Sequence, residues 1–288
     1  MRRRLRLRYR APFDFAALLA FFARRAIAGI EHVDGATYRR RFVYAGTAGM
    51  LQVSACAGVD ALGLTIEHPD SACVADVRAR IRRMFDVDAD IGAIRRQLGR
   101  DVLLRGYLRR NPGQRVPGGW DGFEIAVRAV LGQQISVAAA RTLATRLVQR
   151  YGVRARCDDG TTMRGFPLPR TLARAAPDSI GLTRARARTL VAVARAVCDG
   201  SVDFCRDQPL EEFVSRWTQL PGIGAWTAHY IAMRALGHAD AFPAADLVLR
   251  KAVSPGETLA ARELQAMAEA WRPWRAYAVL HLWRGSGG

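Results

Sequence analysis

Lysine is nearly missing from this sequence of 288 residues: of 44 basic side chains only Lys251 is a lysine, and the rest are arginine. That removes the amine from which a protein builds a Schiff base, so covalent imine chemistry rests on one residue or on none. Cysteine is scarce too. The five present, Cys56, Cys73, Cys157, Cys198 and Cys205, are too far apart for the close pairs of a zinc or iron–sulfur site. Their odd number suits reduced thiols in a cytosolic protein. No His, Cys or acidic cluster suggests a catalytic metal, and no catalytic cofactor is expected. No stretch approaches the roughly 18 apolar residues that cross a membrane. The opening "MRRRLRLRYRAPFDFAALLAFFARR" has the basic-then-apolar look of a leader. However, Leu5, Leu7 and Tyr9 alternate with arginines as in a half-buried strand, Asp14 sits where an N-cap belongs, and Arg24 and Arg25 break the apolar run. A soluble, cytoplasmic protein without a membrane partner is expected.

What the chain has in excess is positive charge, a formal +18. Half its residues are apolar, so it is globular rather than disordered. A basic globular protein favours a polyanionic partner, most simply nucleic acid, although such a balance also serves solubility.

Two patterns divide the chain. In the first hundred residues "TYRRRFVYAG", "GMLQVSACAG" and "ALGLTIEH" read as strands, with Leu62, Leu64 and Ile66 in period two and glycine-rich turns between. The connections are too short for parallel crossovers, so antiparallel hairpins are expected. "SACVADVRARIRRMF" places Val74, Val77, Ile81, Met84 and Phe85 at helical spacing. The Pro/Gly-dense "RRNPGQRVPGGWDG" then marks a boundary. Beyond it only helices are expected, near 121–132, 136–151, 168–177, 183–200, 208–218, 225–237, 246–253, 258–271 and 274–284, with "RCDDGTTMRGFPLP" as a long loop. The fold class is α+β: a small N-terminal antiparallel-sheet domain with helices over 1–110, then an all-helical body over 111–288. Residues 88–110 are expected to be able to pack with the C-terminal helices.

"LPGIGAWTAHY" carries the chemistry. Leu220 ends one helix, and Pro221, Gly222 and Gly224 make a turn too tight for bulky residues. The turn runs into a helix N-terminus, where unpaired amides and the dipole favour an anion. Read alone, it is either a structural helix corner or a phosphate site. Trp226 and Tyr230 lie four apart on one helical face, as core or as pocket wall, and Asp246 precedes "LVLRKAV" as an N-cap or as a reactive carboxylate.

With these residues the chain resembles the helix-hairpin-helix DNA glycosylases, alkylated-base branch, the 3-methyladenine DNA glycosylase II family. The resemblance rests on "LPGIG" followed by "PAADLVLRK" and runs nearly end to end through "APFDF", "RAVLGQQISVAAA", "FPLP" and "WRPWRAYAVLHLW". It implies a hairpin over about 208–237 and a catalytic loop over about 238–250, and a monofunctional enzyme that flips alkylated purines such as 3-methyladenine out of double-stranded DNA and hydrolyses the N-glycosidic bond. Asp246 is implied as the catalytic acid, and Trp226, Tyr230, Trp283 and Phe21 as the base pocket. Gln134 enters the gap left by the base, while Gly222, Ile223, Gly224 and Ala225 hold the backbone. A structural sodium or potassium ion is implied on the main-chain carbonyls of Thr218, Leu220 and Ile223, and the family suggests a monomer. Where related strand-nicking enzymes carry the Schiff-base lysine, this chain has Trp226. The alternatives are a non-catalytic helix-hairpin-helix DNA-binding protein, or a glycosylase for mismatched or oxidised bases.

Overall fold

A computed structural model describes residues 1–157, 160–254 and 256–286. The N-terminal unit runs β1 (Arg2–Arg8), α1 (Phe15–Arg25), β2 (Glu31–Asp34), β3 (Thr37–Tyr44), β4 (Thr47–Ala55), β5 (Ala61–Glu67) and α2 (Cys73–Met84). Its strands pair antiparallel in the order β1-β5-β4-β3-β2. Period-two alternation sends Leu7, Leu62, Leu64, Ile66, Leu51, Val53 and Tyr38 to one buried face. Leu18, Leu19 and Phe22 of α1 and Val77, Ile81 and Met84 of α2 close over that face. Asp14 starts α1 by accepting the Ala17 amide at 3.0 Å. No helix covers the opposite face of the sheet: its Val43–Ala48 end packs against Ala155, Met163 and Gly165, and the rest carries the exposed Arg4, Arg6, Arg8, Arg39 and Arg41.

Two helices absent from the sequence reading follow, α3 (Ile91–Leu98) and α4 (Val102–Arg110). Asp90 and Asp101 cap them, and Ile91, Ile94, Leu98, Leu104 and Leu108 join the core of the helical body. That body continues with α5 (Gly122–Leu131), α6 (Val137–Tyr151), β6 (Arg154–Arg156), β7 (Thr162–Arg164), α7 (Pro169–Leu172), α8 (Arg184–Asp199), α9 (Leu210–Thr218), α10 (Ala225–Ile231), α11 (Leu247–Ala252), α12 (Ala261–Met267) and α13 (Arg275–Gly285). The expectation of helices only beyond the boundary needs one correction. Part of the presumed loop forms the short antiparallel β6–β7 ribbon, docked on β4 through Thr47 and Arg156. Three-residue strands carry too little alternation to be read. The expected helix at 168–177 is likewise shorter, a single turn followed by a separate 3-10 turn at Pro177–Ile180.

A buried charge cluster joins the two parts. Arg40 of β3 bonds Glu31 at 3.0 Å and reaches Glu124 of α5, while Arg128 of α5 bonds Glu124 at 2.6 Å and also reaches Glu31. Tyr38 donates to Glu31 at 2.8 Å. Burial alone would raise the Glu31 carboxyl, but the Arg128 and Arg40 guanidiniums beside it pull it down to about 2. Asp86, at the end of α2, forms a second joint, accepting the Val116 amide at 3.1 Å and the Tyr277 hydroxyl of α13 at 2.9 Å. Burial pushes its carboxyl up to about 6.

Candidate active site

The turn between α9 and α10 is pinned from below. Phe213 and Trp217 anchor α9 in the core, and the buried Ile223 side chain fastens the turn itself. Gly222 has φ +79°, and a Cβ there would lie 2.1 Å from Thr189 Oγ1 on α8, so the position admits glycine only. Gly224 is different: nothing lies within 4 Å of a Cβ added to it. It is the N-cap of α10 and offers no side-chain acceptor to the first amides of that helix. Gly222, Gly224 and Ala225 are exposed. The Ile223 amide donates to the Leu220 carbonyl at 3.1 Å, and the Thr218 hydroxyl turns back to Val214 at 2.9 Å.

One helical turn inward, Trp226 and Tyr230 stack with ring centroids 5.3 Å apart and planes 9° from parallel. Trp283 of α13 completes the wall at 6.4 Å from Tyr230. Both indoles point at one acid: Trp226 Nε1 donates to Asp246 Oδ2 at 2.8 Å, and Trp283 Nε1 donates to Asp246 Oδ1 at 3.1 Å. Oδ1 also accepts the Leu249 amide at 2.9 Å, so Asp246 is the N-cap of α11 as well. The two readings of this residue are therefore compatible. The carboxylate is 9% exposed, buried among aromatic rings rather than among counter-charges.

Phe21 comes from the other unit and meets the aromatic wall through arginines that the sequence did not single out. The Arg234 guanidinium lies 4.6 Å from the Phe21 centroid and 5.5 Å from that of Tyr230, and its Nη1 donates to the Tyr230 hydroxyl at 2.7 Å. The remaining donors of Arg234 go to the Pro117 and Gly118 carbonyls. Arg25 sits 3.8 Å over Phe21, and burial lowers its guanidinium to about 10. Burial would raise the Tyr230 phenol, but Arg234, Arg25 and Arg128 outweigh it and bring it below its ordinary value.

Gln134 stands exposed at the α5–α6 corner with φ +55°, a backbone state that few non-glycine residues adopt. Its neighbour Gln133, which sequence reasoning missed, ties this corner to the hairpin. The Gln133 side-chain amide donates to the Gly222 carbonyl at 2.9 Å and to Thr227 Oγ1 at 3.2 Å, and the Gln133 main-chain carbonyl accepts from Arg186 of α8 at 2.6 Å. No sequence signal separates Gln133 from Gln134; only the fold does.

Asp240, the other acid of the segment between α10 and α11, is taken up by a bidentate pair with Arg275 at 2.8 and 2.7 Å and by Arg272 at 2.8 Å. His229 accepts the Phe242 amide, and burial lowers its imidazole to about 4. Among the described residues no group of three or more His, Cys, Asp and Glu is placed to hold a metal ion. No helix among them is long and apolar enough to cross a membrane.

A hairpin turn, an acid beneath two indoles and an aromatic wall shared between two units form one arrangement, and known proteins share the chain that builds it. Residues 4–121 match the AlkA N-terminal domain, and residues 127–276 match the HhH-GPD superfamily base excision DNA repair protein. The chain is 39% identical over 280 residues to a probable bifunctional transcriptional activator/DNA repair enzyme AlkA of Mycobacterium tuberculosis, covering 97% of this chain but 56% of that protein. It thus spans little more than half the length of that relative. It is 33% identical over 284 residues to DNA-3-methyladenine glycosylase 2 of Escherichia coli, covering 98% and 97% of the two chains. The structure of a 3-methyladenine DNA glycosylase from Archaeoglobus fulgidus has the same fold, with a TM-score of 0.83 at 24% identity over 98% of both chains. The α+β fold is that of these proteins, and the chain belongs to the HhH-GPD superfamily of base excision DNA repair proteins, with an AlkA-type N-terminal domain ahead of the helical body.

Proposed function

We propose that the protein is a monofunctional DNA glycosylase that extrudes an alkylated purine, such as 3-methyladenine, from double-stranded DNA and hydrolyses its N-glycosidic bond, leaving an abasic site. The observation that carries this is the Asp246 carboxylate, held by Trp283 and by Trp226 of the helix that the glycine corner opens. An enzyme that acts on a base takes it out of the stack. Bond cleavage leaves positive charge on the deoxyribose, and a fixed carboxylate in a site poor in water stabilises that charge. The same carboxylate orients the attacking water. The rings of Trp226, Tyr230, Trp283 and Phe21 attract a purine made cationic by alkylation, which is also a good leaving group. No lysine stands on α10, so strand cleavage through a Schiff base has no nucleophile there.

The amides of Gly222, Gly224 and Ala225 hold backbone phosphates in this reading, with Ile223 fixing the turn by donating its own amide to Leu220, and Gln134 fills the gap left by the base. The turn that ends α9 suits a structural sodium or potassium ion on the carbonyls of Thr218, Leu220 and Ile223, since each carbonyl oxygen has two lone pairs and the one at Leu220 that does not accept the Ile223 amide is left over. The protein works as a monomer in the cytoplasm, on the nucleoid. A binder without catalysis needs neither Asp246 nor the indoles aimed at it, which disfavours that alternative.

The test is incubation with methylated duplex DNA and identification of the released bases. Free alkylated purines together with heat-labile abasic sites are expected, without a borohydride-trapped adduct. Absence of base release, or efficient strand nicking, rejects the reading.

A further inference from the structure

The sheet of the N-terminal unit has two faces, and helices cover only one. Across the other, two rows run from β1 to β3: Arg2–Glu67–Met50–Arg41 and Arg4–Thr65–Gln52–Arg39. Arg6 and Arg8 extend the β1 side beside Gly63 and Ala61. We propose that this face is a second DNA-binding surface, which grips the phosphate backbone of undamaged duplex apart from the cleft around Asp246.

Charge on the face is unbalanced. The two acids there are already engaged, Glu67 with Arg2 at 3.2 Å and Asp34 with Arg39 at 3.8 Å. Arg4, Arg6, Arg8 and Arg41 are exposed and have no acidic partner among the described residues. Alternate residues of a strand stand about 7 Å apart, so the β1 arginines repel one another until an anion lies along them.

The shape of the face suits a duplex. The arginines form two rails, on β1 and β3, separated by three strand spacings, about 14 Å. This is of the order of the roughly 12 Å major-groove width. The floor between them is mostly short and polar, Gly63, Thr65, Gln52 and Ser54, with Met50 and the Arg2-paired Glu67 at one end. Arginines on an edge strand such as β1 also deter edge-to-edge aggregation. That explanation does not reach Arg39 and Arg41, because β3 lies inside the sheet between β4 and β2.

Single strands are held by stacking their bases on aromatic rings, yet the aromatics of β3, Tyr38, Phe42 and Tyr44, all pack on the covered side, the first two fully buried. Phosphate binding without stacking points to duplex, independent of sequence. Arg40 alternates with Arg39 and Arg41 and turns inward to Glu124 of the helical body. Its neighbours therefore point away from that body.

The test compares the native protein with R4Q/R6Q/R8Q/R41Q and with a control, R95Q/R96Q/R105Q/R109Q, in which the same charge is removed from α3 and α4. Affinity for a long undamaged duplex is measured against salt, with thermal melting to confirm folding. The sheet variant is expected to bind about tenfold more weakly at low salt, with the salt slope reduced by about 0.9 for each phosphate that is no longer neutralised. The control should stay near native, and lysine at the same four sheet positions should restore most of the affinity. Unchanged affinity and slope in the folded sheet variant overturn the proposal, as does an equal weakening in the control. Loss of binding to a polyglutamate peptide with DNA affinity intact overturns it in favour of an acidic protein. These readouts need no base release, so failure of the glycosylase reading leaves them decisive.

Discussion

The side chain of Gln133 and the carbonyl of Gly222 meet at 2.9 Å across 89 positions of chain. The bond fixes the α5–α6 corner, where Gln134 stands, against the hairpin. A hydrogen bond of this kind contributes about 1 kcal/mol. Gln133→Ala should therefore lower stability by about 1 kcal/mol and, by freeing the corner, weaken binding to damaged duplex. Gln134→Ala should weaken binding to damaged duplex more than to single strands. Fluorescence titration of both DNA forms checks this, and equal losses for Gln134→Ala would count against insertion.

The two glycines of the turn should separate stability from binding. Gly222→Ala combines a left-handed backbone with a clash at 2.1 Å, and a loss of about 2 kcal/mol or more is expected in urea titration. Gly224→Ala meets open space, so the protein should melt as before. A methyl group facing a phosphate should nevertheless cost it DNA affinity. Destabilisation by Gly224→Ala would show that the turn is closed on itself.

Asp246→Asn should keep the cap of α11, because asparagine accepts the Leu249 amide as well as aspartate does. Base release should fall at least about a hundredfold, with DNA binding near native. Asp246→Ala should lose the same activity and about 1 kcal/mol of stability besides. Near-normal turnover in Asp246→Asn rejects the carboxylate as the reacting group.

The Asp86 joint sets a pH dependence. Its carboxyl is raised in the folded protein to about 6. Its contribution is therefore complete below the unfolded value near 4 and is lost as pH rises through about 6. The scale is about 2–3 kcal/mol. Asp86→Asn should remove that loss, so its stability gain over native should grow between pH 4 and 7. A constant difference across that window contradicts the assignment. The buried imidazoles of His229 and His281, both lowered to about 4, act in the opposite sense and are common to both proteins.

The four-charge cluster should tolerate no vacancy. Glu124→Gln leaves Arg40 and Arg128 under-compensated in a buried site, which typically costs about 3–5 kcal/mol. A lower urea midpoint is expected. A change under about 1 kcal/mol would mean that water reaches the cluster.

Much of this was legible in the sequence where local pattern and burial agree. Leu62, Leu64 and Ile66 alternate because one face of β5 is buried, and "LPGIG" could be read because Gly222 serves a backbone need. β2, α3 and α4 were not read. β2 is four residues long, and α3 and α4 are short and rich in arginine, so that Ile91, Ile94 and Leu98, and Leu104 and Leu108, stand at helical spacing over only two turns each behind the caps Asp90 and Asp101. Trp226, Tyr230, Trp283 and Asp246 come together as their spacing and family resemblance suggested. Arg25, Arg234 and Gln133 were invisible because their partners are Phe21, Tyr230 and Gly222, chosen by tertiary approach rather than by neighbours in the chain.

Phe21 and Arg25 belong to α1, yet they furnish the wall around Tyr230. The packing boundary, between Val87 of the sheet unit's core and Ile91 of the helical body's core, and the boundary of the chemistry thus fall in different places. Modular exchange between relatives inherits that mismatch. A chimera that replaces the first unit must bring compatible partners for Tyr230, Arg234, Glu124 and Arg128, or its recipient loses a side of the pocket together with the bolt that aligns it.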